Sequence, residues 1–298
     1  MTDFRLKAFY TVAQEQSFTK ASKILFVTQP AISKHIQQLE MHFETQLLDR
    51  LGGRVVLTSA GQILYDHCER ILEAYRRMSY EMQSLQDDLQ GDLRLGASTT
   101  LAQYVLPPIL AAFTEQFPSV KLSMLSGNSE EIETALLNHR LDLGLVEGVV
   151  RNPLLKYHTW MEDTLVAVVH SRSHWRQMGR LRLEDLPNIP LVLRERGSGT
   201  LDVFEAALKK VQLNLSDLPV RMHLGSTESI KLFMEHSDVM AIVSIQTVQR
   251  ELRSGQLVQL DLDALNLSRH FAFVHLLSEP VGLSAQLIRF VEHYNKWL

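Results

Sequence analysis

Apolar residues near the start of the chain follow two helical patterns separated by a short break. The first pattern includes Phe18 and Leu25, and the second places Ile32, Ile36 and Leu39 on one stripe at i, i+4 and i+7. The residues between them, 26–28, interrupt both patterns. Thr28 is suited to cap the second helix and Pro30 to its first turn, where the missing N–H costs little. The pattern therefore predicts two helices joined by a tight turn.

The second predicted helix also has a polar stripe. It presents amide, hydroxyl and ammonium groups, which suit base edges and phosphates, from Gln29, Ser33, Lys34 and Gln37. Two helices, a tight turn and a polar face on the second helix are typical of a helix-turn-helix. A surface helix pair with a solvated polar face would show the same periodicity, so the spacing alone leaves both interpretations open.

Residues 50–58 read as a small hairpin with Gly52-Gly53 at its turn and Val55 on its second strand. Beside a helix-turn-helix, such a hairpin would be a wing. Arg50 and Arg54 would then reach phosphates or the minor groove. Either side chain could instead be a solvated surface arginine, and at Arg54 we favour the DNA contact.

A long helical pattern without proline runs over 59–89 and is broken at Gly91. Apolar residues alternate in steps of four and three throughout, at Leu64, Cys68, Ile71, Tyr75, Met78, Met82, Leu85 and Leu89. A seam of this length predicts pairing of two helices, and hence a homodimer through residues 59–89. Cys68 lies on this seam, where filling the core is the favoured role and redox sensing the alternative.

After Gly91, short apolar runs alternate with helical patterns, which predicts parallel α/β units. The predicted strands are 93–97, 120–125, 141–147, 165–169, 191–194, 220–224, 240–244 and 269–277. The predicted helices are 101–117 (kinked or split at Pro107-Pro108), 129–139, 201–212, 228–236, 247–254 and 285–298. This arrangement indicates two α/β lobes with two chain crossings between them.

Three predicted strand-to-helix junctions are rich in hydroxyl groups. They are Ser98-Thr99-Thr100, Gly197-Ser198-Gly199-Thr200 and Gly225-Ser226-Thr227. Each would offer free backbone N–H groups at a helix N-terminus, where an anion is stabilised. One such junction is usually only a helix cap, but three in facing lobes favour a pocket for a small anion. The predicted pocket consists of Ser98, Thr99, Thr100, Ser126, Asn128, Glu147, Arg194, Ser198, Thr200 and Thr227.

Glu147 is the unusual member of this set. A carboxylate near an anion costs energy unless it accepts a proton from the ligand or pairs with a cation, for which Arg194 is the candidate. The other interpretation is that Glu147 only marks the hinge between the lobes.

The composition sets the broad class of the protein. The chain of 298 residues is 45% hydrophobic and 21% charged, which is typical of a globular protein of several domains. Its net charge is −4, yet residues 1–58 contain seven basic and five acidic side chains, so the basic character lies at the helix-turn-helix end. One cysteine, no signal peptide and no long apolar run predict a cytoplasmic protein without membrane association.

Sequence motifs of enzymes and metal sites are missing from the chain. The 197–200 turn lacks the Gly-Lys-Ser/Thr of a P-loop, and His170 and His174 lack the context of a zinc site. Nucleophile-elbow, paired-cysteine and dinucleotide motifs are also missing. We therefore expect neither catalysis, nor a metal, nor a cofactor other than the small anionic ligand.

Residues 6–61 resemble the N-terminal domain of the LysR-type transcriptional regulators. The matching residues are Phe9, Val12, Ala13, Ser17, Phe18, Thr19, Ala21, Leu25, Val27, Thr28, Gln29, Pro30, Ala31, Ser33, Ile36, Leu39, Glu40, Leu47, Arg50, Leu57, Thr58, Ser59, Ala60 and Gly61. The chain departs from the family at Gln16 and Glu44, where glycine usually ends a helix, and at Leu48, where phenylalanine is usual. A left-handed cap at Gln16 or Glu44 would be strained.

The resemblance extends over the whole chain, because two α/β lobes resemble the periplasmic-binding-protein-like effector domain of this family. It implies a winged helix-turn-helix over 1–58, a coiled-coil linker helix over 59–90 and an effector domain over 91–298. Lobe I would span about 91–163 and 269–298, and lobe II about 164–268. It also implies contacts with promoter DNA from Thr28, Gln29, Pro30, Ser33, Lys34, Gln37, Arg50 and Arg54.

The implied protein is a homodimer or homotetramer that binds double-stranded promoter DNA and RNA polymerase and is modulated by a small effector. Residues 194–200 and 98–100 are similar to the branch of the family that controls cysteine and sulfur assimilation. This similarity suggests a sulfur oxyanion as the effector, and a small organic carboxylate is the second candidate. The alternatives from other classes are a solute-binding protein, which would need an export signal, and an enzyme built on the two lobes, which would need a nucleophile, metal or cofactor motif.

Overall fold

The computed structural model describes residues 3–51, 54–83, 89–262 and 265–294, and the chain divides into two units, 1–87 and 88–298. The N-terminal unit consists of helices α1 (Phe4–Glu15), α2 (Phe18–Ile24), α3 (Gln29–His42) and α4 (Ser59–Gln83), with an antiparallel hairpin of β1 (Leu48–Leu51) and β2 (Arg54–Leu57). These elements make the predicted winged helix-turn-helix. The predicted turn at Gly52-Gly53 lies outside the described residues.

The apolar stripe of α3 forms the core of the N-terminal unit, as its spacing predicts. Ile32, Ile36 and Leu39 are almost completely buried and belong to the same apolar cluster as Phe9 and Ala21. Thr28 precedes α3 in extended conformation and Pro30 lies in its first turn, but the Thr28 hydroxyl makes no capping hydrogen bond. Burial of one face leaves the opposite face of α3 to other contacts.

Two helix ends in this unit have the strained geometry that their sequence suggests. Gln16 ends α1 at φ 51°, and Glu44 follows α3 at φ 50°. Both values lie in the left-handed region, which disfavours residues with a Cβ atom. The chain therefore keeps the family's turns without the glycine that would relax them.

Helix α4 corrects part of the predicted seam. Cys68 is fully buried in the N-terminal core, with Leu64 packed against the same cluster, so these two positions are occupied within the unit. Burial raises the pKa of the Cys68 thiol to about 12, which favours core filling over redox chemistry. Ile71 and Met78 remain about half exposed. The predicted helix extends too far, because Leu89 is not helical; Met82 and Leu85 have side chains outside the described set.

The second unit contains nine strands and six α-helices among its described residues. The strands are β3 (Gly91–Ser98), β4 (Val120–Gly127), β5 (Leu143–Glu147), β6 (Leu155–His170), β7 (Leu191–Arg194), β8 (Val220–Leu224), β9 (Met240–Ser244), β10 (Leu257–Leu260) and β11 (Ser268–Leu276). The helices are α5 (Leu106–Gln116), α6 (Ser129–Leu137), α7 (Gly199–Lys210), α8 (Thr227–His236), α9 (Gln249–Ser254) and α10 (Gly282–Tyr294). The strands follow the order β4-β3-β5-β11-β6-β9-β7-β8, and β10 also pairs with β6.

Strand β6 divides this unit into two lobes. Its first half, 155–164, pairs with β11, whereas 165–170 pairs with β9 and β10. We call the described residues of 89–164 and 268–294 lobe I, which contains β3, β4, β5, the first half of β6, β11 and the helices α5, α6 and α10. The described residues of 165–267 are lobe II. The chain thus crosses between lobes through β6 and returns at the start of β11, which matches the two predicted crossings.

The prediction of parallel units is wrong for the crossing strands. Strand β11 is antiparallel to both β5 and β6, and β6 is antiparallel to β9. The first half of β6 and all of β10 were not predicted as strands. In the first half of β6 buried and exposed positions mix irregularly, unlike the apolar run at 165–169, so periodicity does not mark it.

Helix α5 begins later than predicted. Residues 101–105 form one π-helical segment, and α5 follows from Leu106 with proline in its first turn. Proline is tolerated there because the first N–H groups of a helix have no partner within the helix. No helix in the described part of the chain is long and apolar enough to cross a membrane.

Candidate functional site

The exposed face of α3 carries the polar residues predicted to contact DNA. Gln29, Lys34 and Gln37 are exposed, and Ser33 is half-buried between them. The Gln29 amide oxygen accepts a hydrogen bond of 3.2 Å from the Thr19 hydroxyl, which links the face of α3 to α2. Thr28 and Pro30 are also exposed, at the start of the helix. The structure therefore places six of the eight predicted residues on one accessible helix end and face.

The hairpin is attached to α3 by a carboxylate. Glu40 Oε1 accepts hydrogen bonds from the backbone N–H groups of Leu47, at 2.9 Å, and Leu48, at 3.3 Å. These bonds hold the start of β1 against α3. Arg50 lies on β1 and Arg54 on β2, but their side chains are outside the described set.

The 197–200 turn of lobe II packs against lobe I. A Cβ atom on Gly199 would lie 1.9 Å from the carbonyl oxygen of Glu147, so this position requires glycine. The Glu130 N–H also donates to the Gly197 carbonyl at 3.2 Å, and Gly197 has φ 82°. The glycines of this turn therefore allow α7 to approach the end of β5 and the start of α6. Close approach of the backbones explains a motif that superficially resembles a phosphate-binding loop.

A second contact joins the lobes at the other side. The Tyr104 hydroxyl, in the π-helical segment of lobe I, donates a short hydrogen bond to Glu228 at the start of α8 in lobe II. The Lys231 ammonium lies 5.2 Å from the centre of the Tyr104 ring and 2.6 Å from Glu228. It also pairs with Glu251 at 2.7 Å. We call Tyr104, Glu228 and Lys231 the latch.

The latch has perturbed pKa values with identifiable causes. Burial raises the pKa of Tyr104, as does its hydrogen bond to Glu228. For Glu228 burial acts in the same direction, but hydrogen bonds from Lys231 and Tyr104 outweigh it and lower the pKa. Burial tends to lower the pKa of Lys231, but its hydrogen bonds to Glu228, Glu251 and Tyr104 raise it overall. At neutral pH the three groups are therefore a neutral phenol, a carboxylate and an ammonium.

Several buried polar atoms at the predicted pocket lack a protein partner. Among the described residues, none makes a hydrogen bond to the hydroxyls of Thr99 and Thr100 in lobe I or to Nη1 of Arg194 in lobe II. The rest of the Arg194 guanidinium pairs with Glu195, at 2.8 and 3.0 Å. Unsatisfied buried donors cost free energy unless water or a ligand supplies the missing acceptor.

The predicted partner of Glu147 is wrong. Its Oε1 lies 3.6 Å from Arg269 Nη1 rather than beside Arg194. Arg269 is fully buried at the start of β11. Its Nε donates to Asp163 at 2.7 Å, and its Nη1 donates to Thr200 at 3.0 Å. Asp163 also accepts a bond of 2.6 Å from Ser244. This network connects both chain crossings to α7.

Arg269 and Asp163 were not among the site residues predicted from the sequence. The signal that could have indicated them is a charged residue at each predicted crossing between the lobes. Such residues are common at the exposed ends of strands, so the signal becomes informative only when burial is known. The structure brings Glu147, Thr200 and Arg269 together.

The other predicted pocket residues have different environments. Ser98, Ser198 and Thr227 are buried at their strand-to-helix junctions, and Ser198 caps α7 by accepting from the Thr200 N–H. Asn128 caps α6 in a reciprocal capping box with Glu131, so its side-chain oxygen already has a partner. Ser126 is exposed on β4. The structure does not bring Ser126 into the buried polar group.

Comparison with known proteins agrees with this architecture. Residues 4–62 match the family profile "Bacterial regulatory helix-turn-helix protein, lysR family", and residues 86–296 match "LysR substrate binding domain". The second match alone covers more than half of the chain. The chain belongs to the LysR family. Its members are transcriptional regulators, and this LysR-type protein is accordingly a regulator rather than an enzyme.

Similar LysR-type proteins match almost the whole chain. The uncharacterized HTH-type transcriptional regulator YeiE of Escherichia coli is 31% identical over 97% of this chain and 95% of its own. The HTH-type transcriptional regulator CysL of Bacillus subtilis is 28% identical over 91% of this chain and 89% of its own. The solved structure of full-length CbnR complexed with its target DNA has a TM-score of 0.61, at 21% identity, and covers 98% of this chain and 99% of that one. That structure shares the fold.

Proposed function

We propose that this LysR-type regulator responds to a small anion held in the cleft between its two lobes. The observation that carries the proposal is a set of buried donors in both lobes that have no partner among the described residues, the hydroxyls of Thr99 and Thr100 and Nη1 of Arg194. Ser98, Ser198 and Thr200 lie at the same two strand-to-helix junctions, and Thr227 lies at the third. A ligand with several acceptor oxygens would satisfy these groups together, because each is a hydrogen-bond donor.

The starts of α7 and α8 support an anion for a second reason. Free backbone N–H groups and the helix dipole favour negative charge at the N-terminus of a helix. Arg194 adds a guanidinium, which suits planar or tetrahedral oxyanions. A sulfur oxyanion is favoured by the similarity of 194–200 and 98–100 to the sulfur-assimilation branch of the family. A small organic carboxylate fits the same donors and is the second candidate.

The N-terminal unit supports a DNA interface at α3 and the hairpin. In this proposal Ser33, Gln37 and Gln29 contact base edges, while Thr28, Lys34, Arg50 and Arg54 contact phosphates or the minor groove. Pro30 shapes the start of the helix. In the same proposal the residues of α4 beyond Cys68 pair two copies, two such dimers form a tetramer, and the promoter-bound form contacts RNA polymerase. Anion binding in the cleft would shift the population of lobe arrangements and so alter promoter occupancy or activation.

The experiment that tests the effector site is a thermal shift series with sulfate, sulfite, thiosulfate and acetylserine. One of them should raise the melting temperature of the wild type by mass action, and Thr100→Val should lose that effect. Valine keeps the shape and removes one donor, which weakens binding of a charged ligand by about 1–3 kcal/mol. Without ligand the variant should be as stable as the wild type, because the hydroxyl has no partner in the described protein.

Thr159→Val is the matched control, because Thr159 is exposed on the lobe I half of β6. It should keep the full ligand response. Promoter binding without ligand should be unchanged in both variants. Equal stabilisation of all proteins by every anion, or loss of promoter binding in Thr100→Val, would show that the anion site lies elsewhere.

A further inference from the structure

A cavity of about 280 Å³ lies in lobe I where the crossing strands meet. Glu147 and Arg269 line its buried end, and Val146 and Ala272 add apolar surface. At its rim Val150 is 70% exposed, and the Arg151 guanidinium lies 5.3 Å from the centre of the Tyr157 ring. Glu147 belongs to the pocket predicted from the sequence, and it is the member of that set found among the described lining residues. Thr99, Thr100 and Arg194, the donors on which the proposed anion site rests, are not among them, so the cavity differs from that site.

The buried end of this cavity has an unbalanced charge. Arg269 faces two carboxylates, Asp163 at 2.7 Å and Glu147 at 3.6 Å, so the ionised group has one negative charge in excess. Two of its atoms, Oε2 of Glu147 and Nη2 of Arg269, are buried without a partner among the described residues. Buried charges are stable when they are paired and their hydrogen bonds are satisfied. A ligand that completes this site would therefore bring a cationic donor for Oε2 of Glu147 and an acceptor for Nη2 of Arg269.

The chemistry of a ligand follows from these two needs. A simple carboxylate would satisfy Nη2 of Arg269 but would be repelled by Glu147, and a simple amine would leave Nη2 of Arg269 unsatisfied. A zwitterion supplies both groups, because its ammonium can donate to Glu147 while its carboxylate accepts from Arg151 or Arg269. Val146, Val150 and Ala272 suit an apolar body. The volume is at the lower end of ligand pockets, about 300–1,000 Å³, which restricts the ligand to a small molecule.

We propose that this cavity binds a free α-amino acid with a small apolar side chain, as a second ligand site of the regulator. The proposal goes beyond the anion site and does not depend on it. Because Arg269 also donates to Thr200 at 3.0 Å, occupancy of the cavity would act on the residue that links the crossing strands to α7. A ligand there can thus influence the cleft through one shared side chain.

Titration calorimetry on the full-length protein with L-leucine tests the site. L-leucinamide, which lacks the carboxylate, and 4-methylpentanoate, which lacks the amine, are the matched probes. L-leucine should bind, and both analogues should bind about tenfold or more weakly, because each leaves one charged partner unsatisfied. Absence of heat with L-leucine, L-valine and L-methionine at millimolar concentrations would overturn the proposal, as would equal binding of L-leucine and its two analogues.

Variants at two exposed residues of the rim, each with a matched control, test whether L-leucine binds in this cavity. Arg151→Gln and Val150→Asp should each weaken L-leucine binding about tenfold or more, since they remove a cation from the rim or add a carboxylate there. Their controls, Lys156→Gln and Leu154→Asp, change exposed neighbours that are not among the described lining residues and should bind normally. Thr100→Val should also bind L-leucine normally. Equal effects in variants and controls, or loss in Thr100→Val, would contradict a separate site.

Discussion

At the scale of single residues, Gln16 and Glu44 use a backbone conformation that favours glycine. Their φ values of 51° and 50° place Cβ close to the following carbonyl oxygen. We expect Gln16→Gly and Glu44→Gly each to raise the free energy of unfolding, by up to about 1 kcal/mol after the larger entropy of unfolded glycine is subtracted. Urea denaturation of the variants would measure this change.

A helical position provides the control for these two variants. Gln38 is exposed in the middle of α3, where glycine should lower the free energy of unfolding by about 1 kcal/mol. The sign of the effect should thus reverse between the helix ends and the helix interior. If all three glycine variants destabilise the protein alike, the left-handed caps are not strained.

At the scale of elements, helix α3 separates packing from recognition on its two faces. We expect Ser33→Ala and Gln37→Ala to reduce discrimination between promoter and unrelated DNA, by about 1–3 kcal/mol for a bidentate contact and less for one hydroxyl. Lys34→Ala should instead weaken binding to all sequences and reduce its salt dependence. Gel shifts over a series of salt concentrations distinguish these effects, with Lys121→Ala in lobe I as the control. Equal promoter affinity in all variants would place α3 outside the interface.

Helix α4 changes its partner along its length. Its start packs into the N-terminal core, whereas Ile71 and Met78, further along the same predicted seam, are about half exposed. We expect Ile71→Asp combined with Met78→Asp to open a helix pairing, because a buried carboxylate costs several kcal/mol without a partner. Light scattering should show smaller particles and footprinting a loss of promoter occupancy. His67→Asp, on an exposed position of α4, should keep both; unchanged assembly of the double variant would refute pairing through this segment.

At the scale of the whole effector domain, the latch makes contact between the lobes sensitive to acid. The pKa of Glu228 in the folded protein is lowered from 4.5, so its contribution to stability is present above that value and is lost as pH falls through the folded pKa. Glu228→Gln should therefore lower the melting temperature above pH 4.5, and the difference should shrink at lower pH. Melting curves over a pH series test this, with the exposed Glu162→Gln as control. A difference that is independent of pH would mean that the latch carboxylate is not ionised.

Features that depend on local pattern were predictable from the amino-acid sequence. The apolar stripe of α3, Pro30 in the first turn of that helix and the apolar strands of both lobes follow from periodicity and from residues with strong backbone preferences. The polar face of α3 and the hydroxyl-rich junctions were predictable for the same reason. In these cases the residues that decide the structure are neighbours along the chain.

Contacts between residues far apart in the chain depend on the packing of whole elements. The Arg269–Asp163 pair joins residues that are 106 positions apart, and the Tyr104–Glu228 bond joins residues 124 apart. Strand direction in the crossing region and the division of α4 between core and exposed face were likewise open. Pairing across such distances depends on how whole strands and helices pack, and a buried arginine has no local signature that separates it from an exposed one. The hydrogen-bond network around Arg269 and the cavity that Glu147 and Arg269 line therefore emerged only from the folded chain.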